Sequence, residues 1–403
     1  MPTTNLASRI NRHLQKLCAE IGPRPIGSRG NLEAADYIRG IFHAAGLEVN
    51  DQRIDCPAWQ HLSTSLSLNG ECRPAVANIF SSACDVTAPL IALGTLHELE
   101  AADITGRVVV MYGDLSKEPL IPKFCTLYNS DRDQAIHRLL DEKQPAALLM
   151  VNLQPTGTAH LVEDWNMTLP SATVPAEVGR TLLQHPNATV RLKIEAETTP
   201  SSSVNVIARQ PGRRAEHLVL CAHYDTKLNT PGALDNGAGV ATLLALAEQL
   251  AQVDHDLGLE FIAFTGEEYS NGEPDGEYIR LKGDELSRVF AAINFDGVGY
   301  AVGANSITMM SHSPAFQAQV EALTAKWPGV IWVEPWPESN HSTFAWRGVP
   351  AIALSSIGAF GLARSPLDTI DWVSVDKLNE VVALVTEIIA AVQGRPLEWS
   401  RPT

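Results

Sequence analysis

The chain has 403 residues, more than one hydrophobic core comfortably organises, so two domains are expected. A net charge of −16 excludes a surface built for nucleic acid or for an anionic membrane. That acidity suits cation binding, although an ordinary acidic cytosolic surface accounts for most of it.

Residues 1–22 contain no basic segment followed by an apolar core, so no signal peptide is expected. They predict instead an amphipathic helix with Leu6, Ile10, Leu14 and Leu17 on one face. No apolar stretch approaches the ~20 residues needed to span a bilayer. The six cysteines are scattered without a C-x-x-C pair, as expected of inert thiols in the cytoplasm. The run NLEAADYIRGIFHAAGLEV predicts a second amphipathic helix, ended by Gly46.

Residues 56–199 change texture. GRVVVMYGD, PAALLMVN, SATVPAE and ATVRLKIEAE are short β-type runs punctuated by Gly, Pro and Asp, which predicts an inserted β-rich domain. TTPSSS at 198–203 reads as a linker back into the main body. From Val204 onward strand and helix signals alternate. HLVLCAH shows no period-2 alternation, as expected of a strand covered on both faces, and the helix GVATLLALAEQLAQ follows it. Further strands are predicted in LGLEFIAFTG, RVFAAINFDG, SITMMSH, VIWVEP and VPAIALSS, and a terminal helix at about 374–393. The expected fold is α/β, with a mainly parallel central sheet flanked by helices. Residues 1–55 and 200–403 would form the discontinuous catalytic domain.

Polar motifs follow these apolar runs in order: His223-x-Asp225, Asp235-Asn236-Gly237, Gly266-Glu267-Glu268, Asp296-Gly297 and Asn340-His341. Each alone has an ordinary explanation. The first could be a strand-end histidine satisfied by its neighbour, the second a helix N-cap, and the third a solvated acidic turn. His341 could be a bystander in a polar loop. Together they place imidazoles and carboxylates at the carboxyl ends of strands, where open α/β sheets bind ligands. Such a set can hold two divalent cations and leave one carboxylate as proton carrier. His223 would ligate while Asp225 orients it, Asp235 could bridge, and one of Glu267 and Glu268 would ligate while the other acts as base.

The same motifs resemble the co-catalytic zinc aminopeptidase family, which includes aminopeptidase S, bacterial leucyl aminopeptidase and, more distantly, glutamate carboxypeptidase II. The likeness extends to IGPRPIGSRGNLEAADYIRGIFHAAGLEV near the start and to Ser365-Pro366-Leu367-Asp368-Thr369 near the end. The 56–199 segment resembles the protease-associated insert of many members. The resemblance implies a zinc exopeptidase fold and two Zn2+ ions, one held by His223, Asp235 and Asp296. The other would be held by Asp235, Glu268 and His341, with Glu267 as general base and Asp225 supporting His223. It also implies a cis peptide at Asp235–Asn236. Mn2+ or Co2+ would suit the same mixed N/O donors.

The expected activity is release of N-terminal residues from small peptides, with no nucleic-acid or membrane partner and a homo-oligomer allowed. Alternatives are a dinuclear-zinc dipeptidase, carboxypeptidase or N-acyl amino acid amidohydrolase, then a glutaminyl-cyclase-like acyltransferase or a non-catalytic binding protein. The chain departs from the family pattern at Asn340, at Arg364-Ser365 (usually His-Thr) and in YSNGEPDGEY after Glu268. Arg364 reads as a surface residue, with a grip on a substrate carboxylate as the alternative.

Overall fold

A computed structural model describes residues 5–125, 130–154, 160–269 and 274–402. Its internal contacts divide the chain into two compact units. One is formed by Pro57–Ser201 together with Tyr269, and the other by the chain on either side, up to Cys56 and from Ser202 onward. The backbone passes between them within two long strands, Glu48–Leu68 and Thr189–Gln210.

In the discontinuous unit, four strands pair in parallel in the spatial order Ala351–Ser356, Val289–Phe295, His217–His223, Gly258–Phe264. Antiparallel neighbours close both sides: Asn305–Met310 beside Ala351–Ser356, and the end of Thr189–Gln210 beside Gly258–Phe264. Asn305–Met310 also pairs in parallel with the short edge strand Val330–Trp332.

The unbroken apolar run at 217–223 follows from double coverage. Leu218, Leu220 and Ala222 enter the cluster that holds the helix Ala238–Leu250, while Val219 and Cys221 enter a second cluster with Tyr278, Ile279 and Phe344. In that helix every residue except Glu248 and Gln249 is buried, which explains its lack of a polar face. The helices Leu6–Leu14 and Val375–Val392 pack against it. No helix among the described residues is long and apolar enough to cross a membrane.

The inserted unit is α/β, not simply β-rich. Cys84–Leu93, Val108–Met111, Ala147–Asn152 and Ser171–Pro175 pair in parallel in that order. Helices Leu96–Ala101, Asp131–Lys143 and Ala176–Leu183 accompany them, and the sheet divides two hydrophobic clusters. Ile136, Leu139 and Leu140 form the buried stripe of the 13-residue helix, a spacing that the strand-like texture around it obscured. The expected linker at 198–203 is likewise not a linker, because the Thr189–Gln210 strand runs straight through it.

Leu244 lies fully buried in the central helix. Leu244→Ala should cost about 2–5 kcal/mol, read as a lower denaturant midpoint with an unchanged slope.

Candidate metal centre

The parallel register brings the polar strand ends to one edge. Phe264 lies opposite His223, and Asp296 follows the adjacent strand, its N–H donating to Leu354 O at 2.9 Å. His223, Asp225, Asp235, Glu268 and Asp296 are all buried, while Glu267 keeps 15% of its side chain exposed.

Asp225 organises this edge. Its two carboxylate oxygens accept the N–H groups of Glu267 and Glu268, each at 3.2 Å, and Oδ1 lies 3.5 Å from His223 Nδ1. One aspartate thus sets the glutamate pair and the histidine relative to each other. His223 Nε2 lies 3.1 Å from Asp235 Oδ1, 3.5 Å from Asp296 Oδ1 and 3.8 Å from Glu267 Oε2.

The bend that carries Asp235 into the site is held from three directions. The Asp235–Asn236 peptide is cis. Asn236 takes the capping role that its neighbour could have filled: its Oδ1 accepts Gly239 N at 3.1 Å and its Nδ2 donates to Phe295 O at 2.7 Å. Gly239 is required here, since a Cβ would stand 2.2 Å from Asn236 Oδ1 and 2.5 Å from Phe295 O. Asp368 accepts Leu234 N at 2.7 Å and Asp235 N at 3.1 Å.

Arg24 supports the preceding loop. Fully buried, it donates to five carbonyls, those of Leu17, Gly22, Tyr224, Pro231 and Gly232, at 2.7–2.9 Å. Neither Arg24 nor Asp368 was assigned a role from sequence, although both sit in motifs that carry the family likeness. A proline-flanked arginine and an aspartate in P-x-D-T were the available signals.

Burial and crowding set the charge states. Burial would depress the His223 imidazole, but Glu267 and the contacts with Asp225, Asp235 and Asp296 outweigh it and hold it well above its ordinary value. Glu267 is pushed up to about 7 by burial, with Asp296 and Asp235 adding to the rise. Glu268 is driven well above the usual carboxylate range, again by burial first and then by Asp235. Asp235 is lowered because His223 overcomes its burial. Asp368 rises to about 6 through burial, against the two N–H groups it accepts.

A divalent cation fits this donor set. His223 Nε2 and Asp296 Oδ1 are buried without a hydrogen-bond partner, a cost that coordination removes. His223, Asp235 and Asp296 offer one donor atom each, all within 4.8 Å of one another, and this is the only such group among the described residues.

His341 lies outside that three-donor group, but its Nδ1 is likewise buried without a hydrogen-bond partner. It opens the short helix His341–Ala345 instead of lying in a loop, with Nε2 2.7 Å from Trp336 O and its ring edge-on to Trp336. Of the divergent segment after Glu268, residues 270–273 lie outside the described residues.

Arg24→Met takes a donor from five carbonyls; Leu17 O and Gly232 O keep backbone N–H partners, and each of the others that water cannot reach costs about 1–3 kcal/mol. A loss of at least about 3 kcal/mol in urea unfolding is expected. Arg24→Lys should recover only part of it, since an ammonium has three donors.

Residues 205–389 match the family model described as "Peptidase family M28". The chain is 27% identical over 301 residues to aminopeptidase YwaD of Bacillus subtilis, covering 71% of this chain and 60% of that protein. It is 24% identical over 353 residues to the probable leucine aminopeptidase 2 of Aspergillus fumigatus, covering 81% and 67%. The match thus spans less than two thirds of the Bacillus relative. Among solved structures, an aminopeptidase from Aneurinibacillus sp. strain AM-1 superposes with a TM-score of 0.78 at 22% identity, covering 98% of this chain and 94% of that one. The zinc aminopeptidase BSAP from Bacillus subtilis gives 0.77 at 21%, covering 98% of each chain. At such identities these two structures establish the shared fold.

Proposed function

We propose that the chain, which carries a peptidase family M28 domain at residues 205–389, is a metal-dependent aminopeptidase that removes N-terminal residues from small peptides. The observation that carries this reading is the three-donor group His223, Asp235 and Asp296, with Glu267 Oε2 3.8 Å from His223 at the same edge. The similarity to proteins named as aminopeptidases supports it.

His223, Asp235 and Asp296 would hold the ion. Zinc is favoured by the likeness to BSAP, and Mn2+ or Co2+ suit the same donors. When bound, a divalent cation supplies a nucleophilic water at neutral pH and polarises the scissile carbonyl.

Glu267 provides the base. Its Oε2 lies 3.8 Å from His223 Nε2 at the same edge, and burial pushes its carboxyl upward. Asp225 is a positioning residue, because its oxygens fix the backbone of both glutamates and face His223. Carboxylates outnumber cations at the edge, which favours the cationic α-amino end of a peptide over its α-carboxylate.

Residues 56–199 are assigned as a protease-associated-type insert, with residues 1–55 and 200–403 as the catalytic domain. Six free cysteines, none paired, support a reducing compartment such as the cytoplasm.

Hydrolysis of aminoacyl p-nitroanilides, compared with their N-acetylated counterparts, tests the reading. Activity should need the free amine and disappear on prolonged chelation. Equal release of p-nitroaniline from the acetylated compounds would mean that no free amine is needed and would point to an endo-acting amidase, whereas release of acetate with the anilide intact would point to an acylase. Glu267→Gln keeps shape and hydrogen-bonding reach without the ability to accept a proton, so kcat should fall by ~10²–10⁴-fold while metal content stays near wild type.

A further inference from the structure

Two cations of the chain stand at the carboxylates of the centre. Lys227 Nζ lies 3.9 Å from Glu268 Oε2 and donates to the Glu268 carbonyl, with 14% of its side chain exposed. Arg364 Nε lies 3.1 Å from the same oxygen and 3.9 Å from Asp235 Oδ2, with 58% exposed. The lysine is turned inward, and the arginine meets solvent.

Neither of these arginine contacts is a hydrogen bond, since Asp235 Oδ2 and both Glu268 oxygens are buried without such a partner. Charge alone draws the guanidinium to them. With His341 Nδ1, also unpartnered, those oxygens suit a further divalent cation. A guanidinium keeps its charge at any working pH, so once the carboxylates serve ions it needs an anion from elsewhere.

The loop that carries Arg364 is fixed to the centre. Ser365 Oγ donates to Leu362 O at 2.7 Å and accepts Leu367 N at 3.2 Å, while Asp368 N donates to Ser365 O at 3.1 Å. Asp368 in turn accepts Leu234 N and Asp235 N. Arg364 itself takes φ +64°, a left-handed conformation that a non-glycine residue keeps only where its surroundings hold it. One turn thus carries both the guanidinium and the carboxylate that holds the Asp235 amide.

An extended residue spans ~3.3–3.6 Å, so the α-carboxylate of a dipeptide follows the scissile bond by a single residue. Each further residue carries it that much farther from the centre. Arg364 Nε, 3.1 and 3.9 Å from two carboxylates of the centre, lies within that one-residue range. Its planar fork also matches a carboxylate with paired N–H donors. We propose, on the aminopeptidase reading above, that Arg364 receives the substrate's α-carboxylate and that free dipeptides are the preferred substrates of this chain. The carboxylates of the edge take the α-amino end, and Arg364 takes the other.

Leucylglycine and leucylglycinamide share the scissile bond and differ only in that carboxylate. With the zinc-loaded full chain, kcat/KM should be roughly 10–100-fold higher for leucylglycine, the range of a charge-assisted hydrogen bond. The gap should lie in KM, because the carboxylate does not react. Leucylglycylglycine should fall below leucylglycine. In Arg364→Met the ratio of dipeptide to amide should drop to about one, with zinc content and circular dichroism reporting the centre and the fold. A purely structural loss slows both substrates alike and leaves the ratio standing. Where that variant fails to fold, Arg364→Lys keeps the charge without the fork and should lower the ratio through a higher KM for leucylglycine.

Equal kcat/KM for dipeptide and amide in the wild type overturns the inference and leaves the aminopeptidase reading standing. Leucylglycylglycine cleaved as well as leucylglycine overturns the dipeptide preference. An unchanged ratio in folded Arg364→Met, or in Arg364→Lys, removes the role given to Arg364. A wild type that cleaves neither these peptides nor aminoacyl p-nitroanilides overturns the aminopeptidase reading itself.

Discussion

Negative charge gathered where water scarcely reaches is the constraint on which this molecule's site depends. Asp225, Asp235, Glu268 and Asp296 are each at most 4% exposed, and Glu267 stands beside them. Removing carboxylates from water costs several kcal/mol apiece unless charge and hydrogen bonds replace it. The surroundings supply that replacement by different routes. Backbone N–H groups converge on Asp225, and burial lifts Glu267 to where it can carry a proton. Lys227 and Arg364 flank Glu268. A divalent cation relieves the remaining imbalance at His223, Asp235 and Asp296, and the same relief is what makes the ion's position chemically useful.

The scaffold meets this demand by making structural residues serve the site. Asn236 caps the buried helix Ala238–Leu250 and ties it to the end of the Val289–Phe295 strand, which leaves the Asp235 carboxylate for the centre. Asp368, from far along the chain, holds the Leu234 and Asp235 amides in position. Arg24 joins the N-terminal segment to the loop after the His217–His223 strand through the carbonyls of Leu17, Tyr224, Pro231 and Gly232. The centre is therefore built as much from backbone placement as from ligand side chains, and a change at Arg24 or Asp368 acts on the centre without touching a donor.

Much of this was legible in the sequence, because it is recorded locally. Apolar runs without alternation mark strands covered on both faces, and a helix apolar all round marks the one buried against them. His223, Asp225, Asp235, Glu267, Glu268 and Asp296 each follow such a run within a few residues, so a parallel sheet alone carries them to one edge. The inserted unit was harder to read. Its short helices share the composition of the strands between them, and the Ser- and Thr-rich stretch at 198–203 has turn chemistry yet lies within a continuous strand. Ladder hydrogen bonds outweigh local preference there.

Only the tertiary structure decided which distant groups complete the site. His341 and Arg364 are both close in sequence to the motifs, and residue type favours the histidine as a ligand. The histidine's Nε2 meets the Trp336 carbonyl, which leaves its buried Nδ1 without a partner, while the arginine reaches Glu268 and Asp235. A strand's period dictates where its last residue points, but a loop side chain is placed by the path of its backbone and by whatever charge awaits it. Neither of those is written in the order of residues nearby. The sequence by itself determined the chemistry of the strand ends, because there the pleat fixes direction. The partners arriving from loops were decided by three-dimensional charge balance.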